Sequence, residues 1–231
     1  MPRRCVSPKS TFLSPYGLLL LFPAAAKPAV PAPVALTVAA GDGVVCPLDL
    51  YRPPGAAAVD VILLPDLRGD RADWAAAAET LAARGCLVGC LELRPLRAGG
   101  PPPVWGRMED PLTPWTEAWR EVAAARDRLQ RETDSNLAPR PFIVVGAGTG
   151  AAAAVVAASR LPRPPQALVL LQPEGSLAGI PIAPILAGLE VPVLLICPID
   201  ASEAREVATD AYLACRPRST LWMTGGVQAR P

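Results

Sequence analysis

The stretch Phe142-Ile143-Val144-Val145-Gly146-Ala147-Gly148-Thr149-Gly150-Ala151 decides the fold. Its apolar, β-branched opening has the length and composition of a buried strand. The alternating Gly146, Gly148 and Gly150 follow, where the chain must turn tightly or let two backbones approach. Next come Ala151, Ala152, Ala153, Ala154, Val155 and Val156, apolar on every side, which predicts a helix pressed against a sheet. Strand, glycine turn and buried helix in immediate succession form the repeating unit of a parallel sheet.

The same alternation extends in both directions. Apolar runs at 59–64, 86–91, 142–145, 167–171, 191–197 and 220–223 have strand length, and their lack of polar alternation predicts cover on both faces. Segments 34–38 and 44–51 flank Gly41-Asp42-Gly43, residues that tolerate positive φ, so the sheet opens on an antiparallel hairpin. Helices are predicted between the strands. Asp70 caps one running through Ala83, with Asp73 near its N-terminus and Gly85 as its stop. Thr113-Pro114 starts a second, reaching Glu132, with Trp115, Trp119, Val122 and Leu129 along its core side. A third follows Gly150, and Ser202 caps a fourth through Ala214. The pattern is a doubly wound α/β sheet in one domain, 34–231.

The chain of 231 residues has a net charge of +1, and its arginines are scattered, which gives no footprint for nucleic acid. Residues 1–33 are read as a separate segment. Arg3, Arg4 and Lys9 precede Leu18-Leu19-Leu20-Leu21-Phe22, and Ala24-Ala25-Ala26 suits a signal-peptidase cut. The run is too short to span a bilayer, and Pro15 and Pro23 interrupt a signal helix. Two readings stay open: an exported, periplasmic or secreted chain, or a cytoplasmic one with an N-terminal extension. Lys27-Pro28-Ala29-Val30-Pro31-Ala32-Pro33 is an extended tether. Cys46, Cys86, Cys90, Cys197 and Cys215 contain no Cys-x-x-Cys pair, and are expected to be buried apolar residues.

There is no histidine, and the only lysines, Lys9 and Lys27, precede the first strand. This excludes an imidazole base, a Ser-Lys dyad, a Schiff-base lysine and any histidine-ligated metal. No metal or cofactor is expected. Asp66 and Asp200 invite comparison with a carboxylate pair, but nothing else supplies a sugar platform or a cation cage. They read as a solvated loop acid and a helix-start acid.

The glycine turn fits two motifs. From Gly146 it matches G-x-G-x-x-A, a dinucleotide fingerprint whose glycines let a pyrophosphate approach a helix N-terminus. That reading needs an acid after the next strand, and Gln172-Pro173-Glu174 offers only Glu174, behind a proline. Alternatively the turn is the G-x-S-x-G elbow that presents a nucleophile, with Gly148 in place of the serine.

From Val34 onward the chain resembles the α/β-hydrolase superfamily, most of all its compact dienelactone-hydrolase-like members. Asp49-Leu50-Tyr51-Arg52-Pro53-Pro54-Gly55 is similar to the end of the family's second strand. Leu63-Leu64-Pro65-Asp66-Leu67-Arg68-Gly69 lies where the family has a strand ending in His-Gly, and Leu91-Glu92-Leu93-Arg94 resembles its "D-x-R-G". Pro192-Val193-Leu194-Leu195-Ile196-Cys197-Pro198-Ile199-Asp200 resembles the seventh strand with its triad acid. The resemblance implies a mostly parallel eight-stranded sheet with helices on both faces. It further implies no cap domain, because 172–190 is short, and a missing C-terminal helix, because the chain ends at Pro231.

Carried over residue by residue, the catalytic positions are degenerate. Gly148 stands at the nucleophile, Asp200 at the acid and Gln228, with Val227 as its alternative, at the histidine. Pro65 and Asp66 replace the oxyanion-loop His-Gly, and Thr149 follows the nucleophile position. An inward carboxylate at Asp66 would repel a developing oxyanion. The resemblance thus implies a pseudo-hydrolase that binds an unknown small molecule or protein, with homo-oligomerisation through the uncovered sheet face as one route. An ester hydrolase using unorthodox residues and a dinucleotide binder are the alternatives.

Overall fold

The computed structural model describes residues 29–94, 113–132 and 139–224. Strands β1 (Val34–Ala39) and β2 (Val45–Tyr51) form the antiparallel hairpin. Then come β3 (Val59–Leu64), α1 (Ala75–Ala82), β4 (Cys86–Leu91), α2 (Trp119–Gln130), β5 (Phe142–Ala147), α3 (Thr149–Arg160) and β6 (Ala167–Leu171). A two-residue hairpin, β7 (Ser176–Leu177) with β8 (Ile180–Pro181), leads into α4 (Ile182–Gly188). Strand β9 (Val193–Pro198), α5 (Ser202–Ala214) and β10 (Ser219–Thr224) complete the described fold.

The eight-stranded sheet has the order β1-β2-β4-β3-β5-β6-β9-β10. Strand β2 pairs antiparallel with β1 and β4, and the remaining pairings are parallel. The parallel strands therefore present their carboxyl ends at one edge, where the turns after β3, β5, β6 and β9 gather.

Helices lie on both faces, unequally. Helices α2, α3, α4 and α5 share a core with Ile62, Leu64, Val144, Leu168, Leu170 and Leu195. Ten residues of α3 are buried, so only small side chains let it lie this close to the sheet. The other face has α1 alone among the described residues, with Trp74, Ala78 and Ala82 packed on Val61, Leu63, Val88 and Cys90. The cover expected on both faces of every strand is corrected here. Strands β6 and β9 alternate in burial, leaving Val169, Leu171, Leu194 and Ile196 half-buried, and Trp222 on β10 is 59% exposed. One helix is ~10–12 Å across with its side chains, about two strand spacings, so α1 shields β3 and β4 and leaves the strands beyond them open.

Helix boundaries shift for local reasons. The first predicted helix divides into a 3-10 turn, Arg71–Trp74, and α1, and the second into a 3-10 turn, Thr113–Glu117, and α2. Asp70 and Asp73 form a capping box, with Asp70 accepting from the Ala72 amide at 2.7 Å and Asp73 from the Asp70 amide at 3.1 Å. Trp119, predicted in the core, is only half-buried beneath the Arg120 guanidinium, 4.6 Å from its ring. Segment 172–190 carries no projecting cap: α4 lies back on the core through Ile182 and Leu186.

At the amino edge of the sheet, Asp60 is wholly buried and paired with Arg140 Nε at 2.6 Å, while Gln130 Nε2 donates to its second oxygen at 2.6 Å. Burial pushes the Asp60 carboxyl above the usual range, opposed by these bonds. The five described cysteines are free, and all but Cys86 are fully buried. No helix of the described residues is long and apolar enough to cross a membrane. Gln228, Val227 and the end of the chain lie outside the described residues, as does the segment 1–28.

Candidate functional site

The turn between β5 and α3 is built by its glycines. Gly148 has φ +53° and ψ −122°, a conformation that a side chain makes costly and glycine tolerates. Its amide donates to Leu171 O at 2.9 Å, and its carbonyl accepts from Ala151 at 3.1 Å, which fixes the turn between β6 and the first turn of α3. Gly150 is pressed against the β3 end: a Cβ there would stand 2.8 Å from Leu64 O. A Cβ on Gly146 would come within 2.6 Å of Ala151 Cα. Both positions admit only hydrogen because α3 starts directly above the strands. The result is a sharp strand-to-helix elbow with residue 148 at its apex.

The space above that apex is filled from β3. Leu64 ends the strand, Pro65 is buried, and Asp66 turns its carboxylate inward over Gly148. A Cβ added to Gly148 would lie 2.6 Å from Asp66 Cγ and 3.3 Å from Asp66 Cβ. The same carboxylate accepts from the Thr149 amide through Oδ1 at 2.8 Å. That amide is the first of α3, whose dipole favours a negative charge at this end. An internal anion thus takes both the volume of a side chain at 148 and the backbone donor beside it.

Thr149 points elsewhere. Its side chain is fully buried, and Oγ1 donates to Glu174 Oε1 at 2.8 Å. Glu174 also donates its amide to Gly148 O at 3.4 Å. In the sequence Glu174 reads only as the acid that a dinucleotide ribose would need. Here it ties the loop after β6 to the elbow, and Gln172, at φ +45°, anchors that loop through its amide to Ile196 O at 2.8 Å.

Asp200 follows β9 at the same carboxyl edge, two strands from β5 and so ~10 Å away across the sheet. It is exposed and makes no hydrogen bond or ion pair among the described residues. Gly148, Asp66, Thr149 and Asp200 therefore share one edge, with Asp66, Gly148 and Thr149 in mutual contact and Asp200 apart. For a dinucleotide, the pyrophosphate position at the α3 N-terminus already holds the Asp66 carboxylate. No cluster of metal-binding side chains occurs among the described residues. Two surface cavities lie remote from this edge. One, of about 420 Å³, separates β1 from α2 beside Val38, Trp119 and Asp127; the other, of about 610 Å³, lies at the amino edge beside Arg126, Arg163 and Pro192.

No protein-family model and no curated protein matches the chain in sequence. Solved structures match its fold. A dienelactone hydrolase from Anabaena variabilis is 21% identical, with a TM-score of 0.67 over 86% of this chain and 88% of that one. The Pyrococcus furiosus esterase Pf2001 is 15% identical, with a TM-score of 0.63 over 86% of this chain and 83% of the esterase. TT1662 from Thermus thermophilus is 17% identical, with a TM-score of 0.61 over 86% and 90%. The comparison establishes a shared fold.

Proposed function

From this α/β-hydrolase fold, we propose that the chain is a non-catalytic pseudo-hydrolase with a binding or scaffolding role. The observation that carries the reading is the Asp66 carboxylate seated on the Thr149 amide, above a glycine at the apex of the elbow. Acyl transfer by this fold needs a nucleophile at the apex, a base to take its proton, and free amides to stabilise the oxyanion. Position 148 has no side chain, the chain has no histidine, and the Thr149 amide faces a negative charge. Asp200 alone matches the residue type of the triad. In the absence of a base, its exposed carboxylate has no imidazole to orient.

The rival reading, an ester hydrolase working with unorthodox residues, draws support from the esterase and dienelactone hydrolase among the structural neighbours. Turnover of p-nitrophenyl acetate separates the two. A non-catalytic chain gives no rate above buffer. A rate that survives repurification and is abolished by Asp200→Ala contradicts the proposal.

A further inference from the structure

The sheet ends at β1, whose outer side pairs with no strand among the described residues. Which backbone groups it leaves open follows from the register. The Ala40 amide donates to Val44 O at 2.7 Å, which makes these two a hydrogen-bonded pair, and antiparallel ladders alternate. Val38, Leu36 and Val34 therefore turn their amides and carbonyls toward β2, while Ala39, Thr37 and Ala35 turn theirs outward. Pro47, opposite Thr37, agrees: it has no amide, and its carbonyl accepts from the Glu92 amide, just past β4, at 3.0 Å.

This edge has none of the features that keep sheet edges apart. Val34–Ala39 contains no charge, no proline and no bulge in its register, and Val34, Ala35, Thr37 and Ala39 are exposed. The sequence also bears on what pairs with it. Ala35-Leu36-Thr37-Val38-Ala39 has the same residue classes read in either direction. Beside the edge, the cavity of about 420 Å³ separates Val38 from Trp119, Ala123 and Ala124 of α2.

We propose that β1 pairs antiparallel with β1 of a second copy of this chain, about a two-fold axis that passes Thr37 perpendicular to the sheet. A two-fold contact must be self-complementary, and the near-palindrome provides this. Thr37 meets the second copy's Thr37, Ala35 meets its Ala39, and Leu36 meets its Val38. The outward amides and carbonyls of Ala35, Thr37 and Ala39 are then all bonded across the axis. Because the axis is perpendicular to the sheet, both α2 helices stay on one side of it. Leu36 and Val38 lie on that side, against the core, so those of the second copy project into the cavity beside Trp119. Lys27 and Asp42 bound an uncharged stretch, so no like charges meet along the paired strands. An extended peptide from another protein would use the same backbone groups without any need for the palindrome. The contact is independent of whether the elbow is catalytic.

The test is sedimentation of the full chain over a range of concentrations, beside Thr37→Pro and Thr37→Lys. The Thr37 amide points outward, so proline there removes the two central bonds of the contact and none within the hairpin. Lysine sets two like charges opposite each other at the axis. The chain is expected to dimerise, and each variant to raise the dissociation constant roughly tenfold or more with an unchanged circular dichroism spectrum. Lysine carries the reading if proline disturbs the hairpin. A dimer that both variants leave intact overturns the proposal. So does a chain that stays monomeric at every concentration: slow hydrogen exchange at the Thr37 amide then assigns the edge to another part of the same chain, and fast exchange leaves it to a peptide from another protein. Thr37→Cys under mild oxidation reads the register, since residues opposed in a hydrogen-bonded pair stand ~5.5 Å apart, within reach of a disulfide. A reducible link between the two introduced thiols, located by peptide mass spectrometry, supports the pairing. A dimer that forms no such link contradicts it.

Discussion

The Asp66 carboxylate stands over Gly148, with Cγ 2.6 Å from where a Cβ on residue 148 would be, and it accepts from the next amide at 2.8 Å. These residues are 82 positions apart in sequence and meet because β3 and β5 are adjacent parallel strands ending at one edge. The turn holds residue 148 at φ +53° and ψ −122°, and its apex carries no side chain. Glycine there lowers the conformational cost of the turn, and the carboxylate fills the volume.

Asp66→Ala removes a charged acceptor from the first amide of α3. The expected loss is about 1.5–3 kcal/mol of stability, measured by urea unfolding, because the amide then faces a cavity. Formate, small enough to enter that cavity, is expected to raise the melting temperature of this variant more than that of the wild type. A variant as stable as the wild type would show that the Thr149 contact contributes nothing.

If Gln228 stands at the histidine position that the resemblance implies, the triple variant Asp66→Gly, Gly148→Ser, Gln228→His is expected to acquire weak ester turnover, because it then sets a serine and a histidine with Asp200 and frees the Thr149 amide. Each single variant is expected to stay at the buffer rate. The comparison uses p-nitrophenyl acetate, and activity in Gly148→Ser alone would contradict the account.

Burial raises the Cys46 and Cys90 thiols from 9.0 to about 12 in the folded chain. Between those values the unfolded chain loses these protons and the folded chain keeps them, so stability is full below pH 9 and falls as pH rises toward 12. Both thiols should resist iodoacetamide at pH 8 in native protein and react after unfolding. Replacing both with alanine is expected to flatten the alkaline slope, despite a lower overall stability from the cavities left behind.

Arg140→Ala removes the ion-pair partner of the buried Asp60 carboxylate and leaves it, among the described residues, the bond from Gln130 and the more distant Arg126 charge. The expected cost is about 3–5 kcal/mol at neutral pH. Without the arginine the folded carboxyl holds its proton more tightly, so the deficit shrinks as pH falls through its raised folded pKa. Unfolding at pH 7 and pH 5 checks the sign: the gap from wild type should be smaller at pH 5.

The sequence read the strands well where turn residues bound an apolar run. The predicted limits of β3, β4 and β6 are those observed. Strand β5 extends two residues further, because Gly146 and Ala147 still pair with Leu170 and Leu171 and the sharp turn waits for Gly148. Helix α4 escaped notice, since it has seven residues with Pro184 among them. The half-open face was also illegible: an apolar strand reads the same whether a helix covers it or not. The resemblance placed Asp66 near the elbow, but whether its carboxylate turned inward depended on how the β3 end packs against α3, which local sequence does not encode.

The most direct test of Asp66 as occupant of the space above Gly148 is a double-mutant cycle for Gly148→Ser and Asp66→Gly, read as unfolding free energies. In the wild type the serine meets both the backbone strain, about 1–3 kcal/mol, and the carboxylate it must displace. In the Asp66→Gly chain only the strain remains. The account predicts that the serine penalty shrinks by about 1 kcal/mol or more once Asp66 is gone, a coupling of the size found for residues in contact. Equal penalties in the two backgrounds, additive to within about 0.3–0.5 kcal/mol, would contradict it.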